Sequence, residues 1–409
     1  FLFSFVWIFN RHHLIGVFYL VLCVYCFFSM LASILYPEYY SIITHYQNLT
    51  PKTFYSTYLY VFLSFMFFII FYYIFFQFKW SIEKKLFNVR VVESHSSYSI
   101  VVFNAINIIF IIYLGLLLII NYSDISYQNQ LILKGNIIWY SLFELSPILI
   151  FLSITSKNKI TIFLGSILMM IFIISSIKLG NRGVAIPFLI GLCVYILNKK
   201  NIKISLKKNQ IKLVIKILLC TILVLLSSQI IRIMRGGGNL SIINIMSFFN
   251  LKSLCFQDYV YSFPMLYASI DANIIIPEFV LKSDVLNTFI MIDYPTLASY
   301  FSGYFNVPPG IGLGMYILVW GYTLCGWFGI IICPFVIILS FKILEIIFVN
   351  KNKKDLSLFM SLVFGYYLIF NIIRGQMYFF PKAIYIYIIP SLFFYCLINK
   401  KKIKLVRGV

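Results

Sequence analysis

The chain has 409 residues, of which 62% are hydrophobic and 11% charged, and its formal net charge is +21. A soluble domain carries about twice that charged share, so too little polar surface exists to coat a water-soluble globule and lipid must be the solvent. The basic excess does not point to nucleic acid, because most Lys and Arg fall in short connections between apolar runs, where positive charge sets membrane orientation.

Residues 1–9 (FLFSFVWIF) read as the end of a spanning helix whose start is missing. A signal peptide would place its basic residues ahead of the apolar core, whereas Arg11 follows it here. Apolar runs then predict membrane spans at 14–36, 56–78, 97–120, 137–155, 160–177, 183–197, 211–231, 324–348, 356–372 and 382–398. The expected fold is all-α, with about ten to eleven transmembrane helices. The run 183–197 is short and holds Pro187; it is predicted to tilt, or to pair with 160–177 as a hairpin around Lys178–Gly183. Seven of the cysteines (Cys23, Cys26, Cys193, Cys220, Cys325, Cys333 and Cys396) lie in apolar runs and Cys255 in a long connection. That placement reads as small apolar residues rather than a disulfide framework.

Counting Lys and Arg in alternate connections predicts the orientation. Residues 10–13, 79–96, 156–159, 198–212, 349–355 and 399–409 hold 21, while residues 37–55, 121–136, 178–182, 232–323 and 373–382 hold 10 in a longer total. The first set is expected to face the cytoplasm and the second the outside. The connection 232–323 spends about 90 residues between two spans, far more than a compact domain leaves without a purpose. The expected division is therefore 1–231, N-terminal transmembrane helices; 232–323, a large outer loop; and 324–409, C-terminal helices with a cytoplasmic tail. Within the loop, 240–256 and 284–301 are amphipathic and are expected to lie in the interface plane.

Six cations sit near span ends on the expected outer side: Lys178, Arg182, Arg232, Arg235, Arg374 and Lys382. The planar fork of Arg donates two parallel hydrogen bonds to phosphate, so these groups suit a pyrophosphate at the membrane surface; snorkelling to lipid headgroups is the plainer alternative. Arg182 and Arg374 stand beside glycine in very short connections, where the chain turns sharply and the side chain is expected to aim inward. The large loop holds Asp258, Asp271, Glu278, Asp284 and Asp293, any of which can accept the proton of an attacking hydroxyl. Glu144 differs because it falls inside span 137–155. An ionisable group at that depth is a candidate for function, or else pairs with a lysine or a backbone group.

None of His12, His13, His45 and His95 lies in the large loop. There is no H-E-x-x-H, Cys/His cluster, Walker loop or G-x-S-x-G elbow, so no metal ligand set or nucleotide site is expected, and no cofactor. The segment 303–329 is rich in glycine. Gly310, Gly312 and Gly314 permit close backbone approach to a ligand, and Gly321, Gly326 and Gly329 read as a helix-packing face.

The layout resembles the O-antigen polymerase family of bacterial inner membranes. The likeness rests on Leu179-Gly180-Asn181-Arg182-Gly183 at a short outer turn, the single large outer loop, the Pro-Gly-x-Gly-x-Gly stretch leading to Gly326-Trp327-Phe328-Gly329, and Arg374-Gly375 before the last span. The resemblance implies a GT-C-like fold and an inverting, metal-independent glycosyltransferase of lipopolysaccharide biosynthesis. Such an enzyme joins undecaprenyl-pyrophosphate-linked oligosaccharide repeats on the periplasmic face. Its implied partners are that substrate, membrane lipid, a chain-length regulator and a flippase, with no nucleic acid. The expected location is the inner membrane, with the large loop periplasmic and the C-terminus cytoplasmic. On position and chemistry, Arg182, Arg374 and Asp293 are the expected catalytic groups, and Lys178, Arg232, Arg235 and Lys382 the expected pyrophosphate ligands. The related O-antigen ligases use a histidine in the large loop, which this loop lacks. A ligase, or a flippase for the same lipid-linked unit, is the alternative reading.

Overall fold

The computed structural model describes residues 2–35, 50–77, 88–93, 99–120, 137–178, 182–201, 262–275, 278, 282, 317–348, 354–373, 387–398 and 401–406. In chain order the first helices are α1 (Leu2–Arg11), α2 (His13–Leu35), α3 (Pro51–Gln77), α4 (Ser99–Ile120), α5 (Ile137–Thr155), α6 (Lys159–Lys178) and α7 (Arg182–Lys200). They are followed by α8 (Ser262–Asp271), α9 (Ile317–Cys325), α10 (Gly329–Phe348), α11 (Lys354–Phe364), α12 (Phe370–Ile373) and α13 (Ile389–Ile398). A 3₁₀ turn, Gly326–Phe328, joins α9 to α10, and a π turn, Gly365–Ile369, joins α11 to α12. The described strands are β1 (Asn88–Glu93) and β2 (Lys401–Val406), one antiparallel ribbon with Asn88 opposite Val406 and Glu93 opposite Lys401.

Among the described residues, five stretches are long and apolar enough to cross a membrane: His13–Leu35, Pro51–Gln77, Ile100–Ile119, Lys159–Ser176 and Ile317–Ile346. The chain is an all-α membrane protein in which the short ribbon is an accessory. The span expected at 324–348 starts seven residues early, at Ile317. The apolar run from Ile317 to Cys325 has no breaker strong enough to delay it, since Gly321 costs only about 1 kcal/mol in a helix. The end of the expected large loop is therefore helix. The stretches 240–256 and 284–301, and the span 211–231, lie outside the described residues.

The chain sorts into two compact units. Unit 1 comprises Phe1–Glu83, Phe249–Ile346 and Leu368–Ala383; unit 2 comprises Lys84–Phe248, Ile347–Tyr367 and Ile384–Val409.

In unit 1, α1 bends into α2 at His12. Gly16 makes the bend possible, because a Cβ there would fall 2.5 Å from the Phe9 Cα. Rings knit α2 to α3 and α10: Phe18 stacks on Phe68 at 5.9 Å and meets Phe341 edge-on at 5.2 Å, and Tyr19 meets Phe65 at 5.5 Å. Such pairs contribute about 0.5–1.5 kcal/mol each, which matters in lipid because lipid tails are as apolar as the side chains and packing supplies the gain. The short helix α8 is buried: Met265, Leu266, Ala268 and Ser269 are all 0% exposed. It packs on α2, α3 and α9. It ends in a Schellman cap, with Asn273 at φ 47°, the Asn273 N–H on the Ile270 carbonyl and the Ile274 N–H on the Ser269 carbonyl.

Unit 1 gathers its polar groups at two ends. At one, Arg11 Nη1 donates to Gln77 Oε1, and Glu345 lies 3.6 Å from both His12 and Lys342. At the other, Thr53 Oγ1 donates to Asp271 Oδ1 at 2.7 Å, the Thr50 N–H donates to Tyr267 Oη at 2.7 Å, and Tyr322 Oη donates to Asn273 Oδ1 at 3.3 Å. The first end collects residues at or beside connections assigned to the cytoplasm by the charge count, and the second collects residues at or beside connections assigned to the outside. The alternation of sides is thus consistent through this unit.

In unit 2, α4, α5 and α6 meet around small and polar residues. The Asn107 amide donates to Ser153 Oγ at 3.0 Å, and a Cβ on Gly165 would fall 2.1 Å from the Ser153 Cβ. Asn158 caps α6 by accepting the Ile160 N–H at 2.9 Å. Phe172 of α6 lies 5.4 Å from Phe188 of α7, so the two helices pair as the hairpin reading expects. Helix α7 runs the full 19 residues despite Pro187. It crosses α11 at glycine: a Cβ on Gly191 would meet the Leu362 carbonyl at 2.9 Å, and one on Gly365 would meet the Gly191 Cα at 3.1 Å. The β1–β2 ribbon ties residues 88–93 to 401–406, two segments that the charge count places on one side.

Candidate functional site

Of the seven expected site residues, Lys178 ends α6 and Arg182 begins α7, and their side chains are outside the described residues. Arg232, Arg235, Asp293, Arg374 and Lys382 also lie outside the described residues, as do Asp258 and Asp284. Two loop carboxylates are described. Asp271 ends α8 and accepts from Thr53. Glu278 forms an exposed pair with Lys282 at 2.8 Å, one helical turn away, a solvated arrangement of small energetic weight.

A further described carboxylate is that of Glu144. It lies on α5 in unit 2 and is only part-exposed. Tyr387 Oη donates to Glu144 Oε2 at 2.5 Å, and Tyr367 Oη donates to the Glu144 carbonyl at 2.7 Å. Both tyrosines are buried, at 3% and 4% exposure. Their rings stack on one another with an interplanar angle of 18°, and Tyr366 packs edge-on against Tyr367. A short hydrogen bond onto a carboxylate oxygen belongs to the stronger class.

Local backbone irregularity delivers each partner. Tyr366 and Tyr367 sit on the π turn Gly365–Ile369, and Tyr387 sits on a π-type turn just before α13. A π turn adds a residue to a helical turn and re-aims the side chains on it, and such turns recur at functional sites. Gly365 lets α11 press onto α7 at the same level. On α5, Pro147 has no N–H for the Phe143 carbonyl, so the ladder is opened beside Glu144. An apolar wall lies next to it: Phe151 stacks on Phe188 at 5.1 Å and meets Tyr366 at 5.8 Å, and Phe143 meets Phe172 at 5.3 Å. The arrangement is a part-exposed carboxylate beside aromatic rings, with one hydroxyl donor on its Oε2 and a second on its own backbone carbonyl.

Sequence reasoning singled out Glu144 by depth alone and expected a lysine or backbone partner. Its side-chain partners are tyrosines, Tyr387 on the carboxylate and Tyr367 on the backbone carbonyl. No sequence signal marks Tyr387, which stands between Ile386 and Ile388.

The glycine segment resolves toward packing at its described end. A Cβ on Gly329 would fall 2.3 Å from Tyr60 Oη and 2.4 Å from the Gly321 carbonyl. Gly326 adopts φ 56°, which glycine alone takes at no cost, and breaks the helix there. Gly310, Gly312 and Gly314 lie outside the described residues.

At the other polar end of unit 1, burial together with the nearby Lys342, Arg11 and His13 pushes the His12 imidazole down to about 4. These effects outweigh Glu345, 3.6 Å from Nδ1, so His12 is neutral at pH 7. Its ring contacts Tyr72 at 5.8 Å and Phe76 at 4.8 Å.

No protein-family profile, no functionally characterised protein and no solved structure matches the chain.

Proposed function

We propose that the chain is a glycosyltransferase of the bacterial inner membrane that polymerises undecaprenyl-pyrophosphate-linked oligosaccharide repeats on the periplasmic face. The observation that carries the reading is Glu144 with its two tyrosine donors. Glu144 stands seven residues into α5, about 10 Å along the helix at 1.5 Å per residue. On the charge count that is the outer half of the span, and Arg374 follows Tyr367 by seven residues in the chain. A base inside the membrane and guanidinium groups at the outer turns are the two parts that such a transfer needs.

In this reading Glu144 takes the proton of the acceptor sugar hydroxyl. The oxygen attacks the anomeric carbon, the bond from that carbon to pyrophosphate breaks with inversion, and the pyrophosphate leaves with the electron pair. Arg182 and Arg374 stabilise the developing charge, and Lys178, Arg232, Arg235 and Lys382 hold the pyrophosphate. Asp293, the loop carboxylate nearest the re-entry into the membrane, is the alternative base. The large loop then faces the periplasm, and a chain-length regulator and a flippase are the expected partners.

Deleting the gene and separating the cell-surface polysaccharide on a gel tests the reading: long chains are expected to collapse to single repeats, and unchanged chains end it. The same observation also favours a second reading, because an intramembrane carboxylate is a common proton relay in transporters. Purified protein in liposomes separates the two. The enzyme lengthens glycan without moving lipid across the bilayer, and a flippase does the reverse.

A further inference from the structure

Unit 1 contains an apolar cleft of about 450 Å³ between α2 and α3. Helix α2 contributes positions 23, 26, 27 and 30, with Val24 beside them, and α3 contributes 58, 61, 62 and 65. Each set follows the three-and-four spacing of one helix face, so the cleft is a groove running along two spans. Cys26, Phe65 and Phe263 form its buried floor, while Phe27, Tyr58 and Phe62 form a rim that is 54%, 44% and 40% exposed.

The cleft lies in the halves of α2 and α3 nearest the connection between them. At that end α8 is fixed by three hydrogen bonds, from the Phe263 N–H to Ser29 Oγ at 2.8 Å, from the Thr50 N–H to Tyr267 Oη and from Thr53 Oγ1 to Asp271. Phe263, at the start of α8, supplies part of the floor. A water-borne ligand would meet the polar groups of α8, whereas the exposed rim belongs to helix faces long and apolar enough to contact lipid tails. The volume falls within the range of small-molecule sites. Among the described residues, the lining holds no charged group that would orient a polar ligand.

We infer that this cleft holds one acyl chain of a membrane phospholipid, entering sideways from the leaflet on the α8 side. The chain fills a groove that would otherwise lack contact atoms, and an unfilled groove forfeits dispersion contacts. It also braces α8 against α2 and α3. This inference does not depend on the enzymatic reading.

The full chain in nanodiscs of phosphatidylethanolamine and phosphatidylglycerol, with a trace of phosphatidylglycerol bearing a diazirine on one acyl chain, tests it. Illumination and peptide mapping are expected to place label on residues 23–30 and 58–65 several-fold above the lipid-facing Ile109, Ile112 and Ile119 of α4. Val61→Trp, which fills the cleft, is expected to remove the excess while leaving the α4 label unchanged, so a misfolded variant is recognised by loss of both. Equal labelling at the two places, or an excess that survives Val61→Trp, overturns the inference. So does labelling of the cleft by a diazirine polyprenyl phosphate in preference to the acyl probe.

Discussion

The two units treat polar groups in opposite ways. Among the described residues, unit 1 sends its charges to two ends, His12 with Lys342 and Glu345 at one and Asp271 at the other, and keeps an apolar cleft within the spans. Unit 2 keeps Glu144 within the apolar helix α5 and places Tyr366, Tyr367 and Tyr387 beside it. Both use the same packing device, glycine where helices touch, at Gly321 and Gly329 in unit 1 and at Gly165, Gly191 and Gly365 in unit 2. The comparison teaches where the fold accepts an electrostatic cost. A carboxylate away from water costs several kcal/mol unless it is satisfied; in unit 2 the Tyr387 hydroxyl meets the Glu144 carboxylate and the Tyr367 hydroxyl meets its backbone carbonyl.

The largest expected effect breaks this contrast directly. Glu144→Gln keeps the size of the side chain and leaves an oxygen for Tyr387, so the protein is expected to insert and fold as before. Its polymerising activity is expected to fall by about 10²–10⁴, the worth of a positioned base. Surface polysaccharide length, read beside the amount of protein in the membrane, checks this. Wild-type chains would reduce Glu144 to a structural residue and erase the functional difference between the units. Arg182→Ala and Arg374→Ala are expected to follow, each losing about 2–4 kcal/mol of barrier lowering with insertion intact. Normal chain lengths in both would remove the leaving-group assignment.

Much of this was legible in the sequence, for definite reasons. Span positions follow from apolar length, so α2, α4, α5 and α6 fall within about two residues of expectation, inside the usual boundary error. The α6–α7 hairpin follows from the short connection 178–182. The two polar ends of unit 1 and the β1–β2 pairing agree with a charge count made on loops alone. Glu144 was visible because a lone acid in an apolar run has no ordinary explanation. Its partners were not, because a tyrosine carries no mark of whether its hydroxyl meets headgroups or a carboxylate two hundred residues away. The burial of α8 was hidden for a similar reason: SFPMLYASID has the length of an interfacial helix, and only the tertiary contacts with α2, α3 and α9 decide its place. The early start of α9 is hidden in the sequence because the glycines of 303–329 run without a break from the expected loop into the expected span.

The glycine contacts sharpen the comparison from the packing side. Gly329→Ala is expected to destabilise unit 1 by about 1–3 kcal/mol, because the new methyl would meet Tyr60 Oη at 2.3 Å and a backbone carbonyl that has little room to move. Gly165→Ala is expected to cost unit 2 a similar amount through Ser153. Gly115→Ala is the control, since nothing lies within 4 Å of its Cβ position, and no loss is expected there. Thermal midpoints in detergent rank the three; a Gly329→Ala midpoint equal to that of Gly115→Ala would mean the α9–α10 crossing is looser than the contact implies.

The smallest expected effect concerns the end of unit 1 that carries His12. The folded state holds its imidazole down to about 4, whereas an unfolded histidine titrates near 6.5. Between those values the unfolded chain binds a proton that the folded chain refuses, so stability must fall as pH drops through that window and is fully present above about 6.5. From pH 6.5 to 5 the loss is expected to reach about 1–2 kcal/mol at most, since one pKa difference contributes about 1.4 kcal/mol per pH unit. His12→Phe keeps a ring against Tyr72 and Phe76 and removes the titration, so its midpoint should vary less with pH than that of the parent chain. If His12→Phe keeps the parent slope, the acid sensitivity belongs to another group and the cluster at His12 is packing alone.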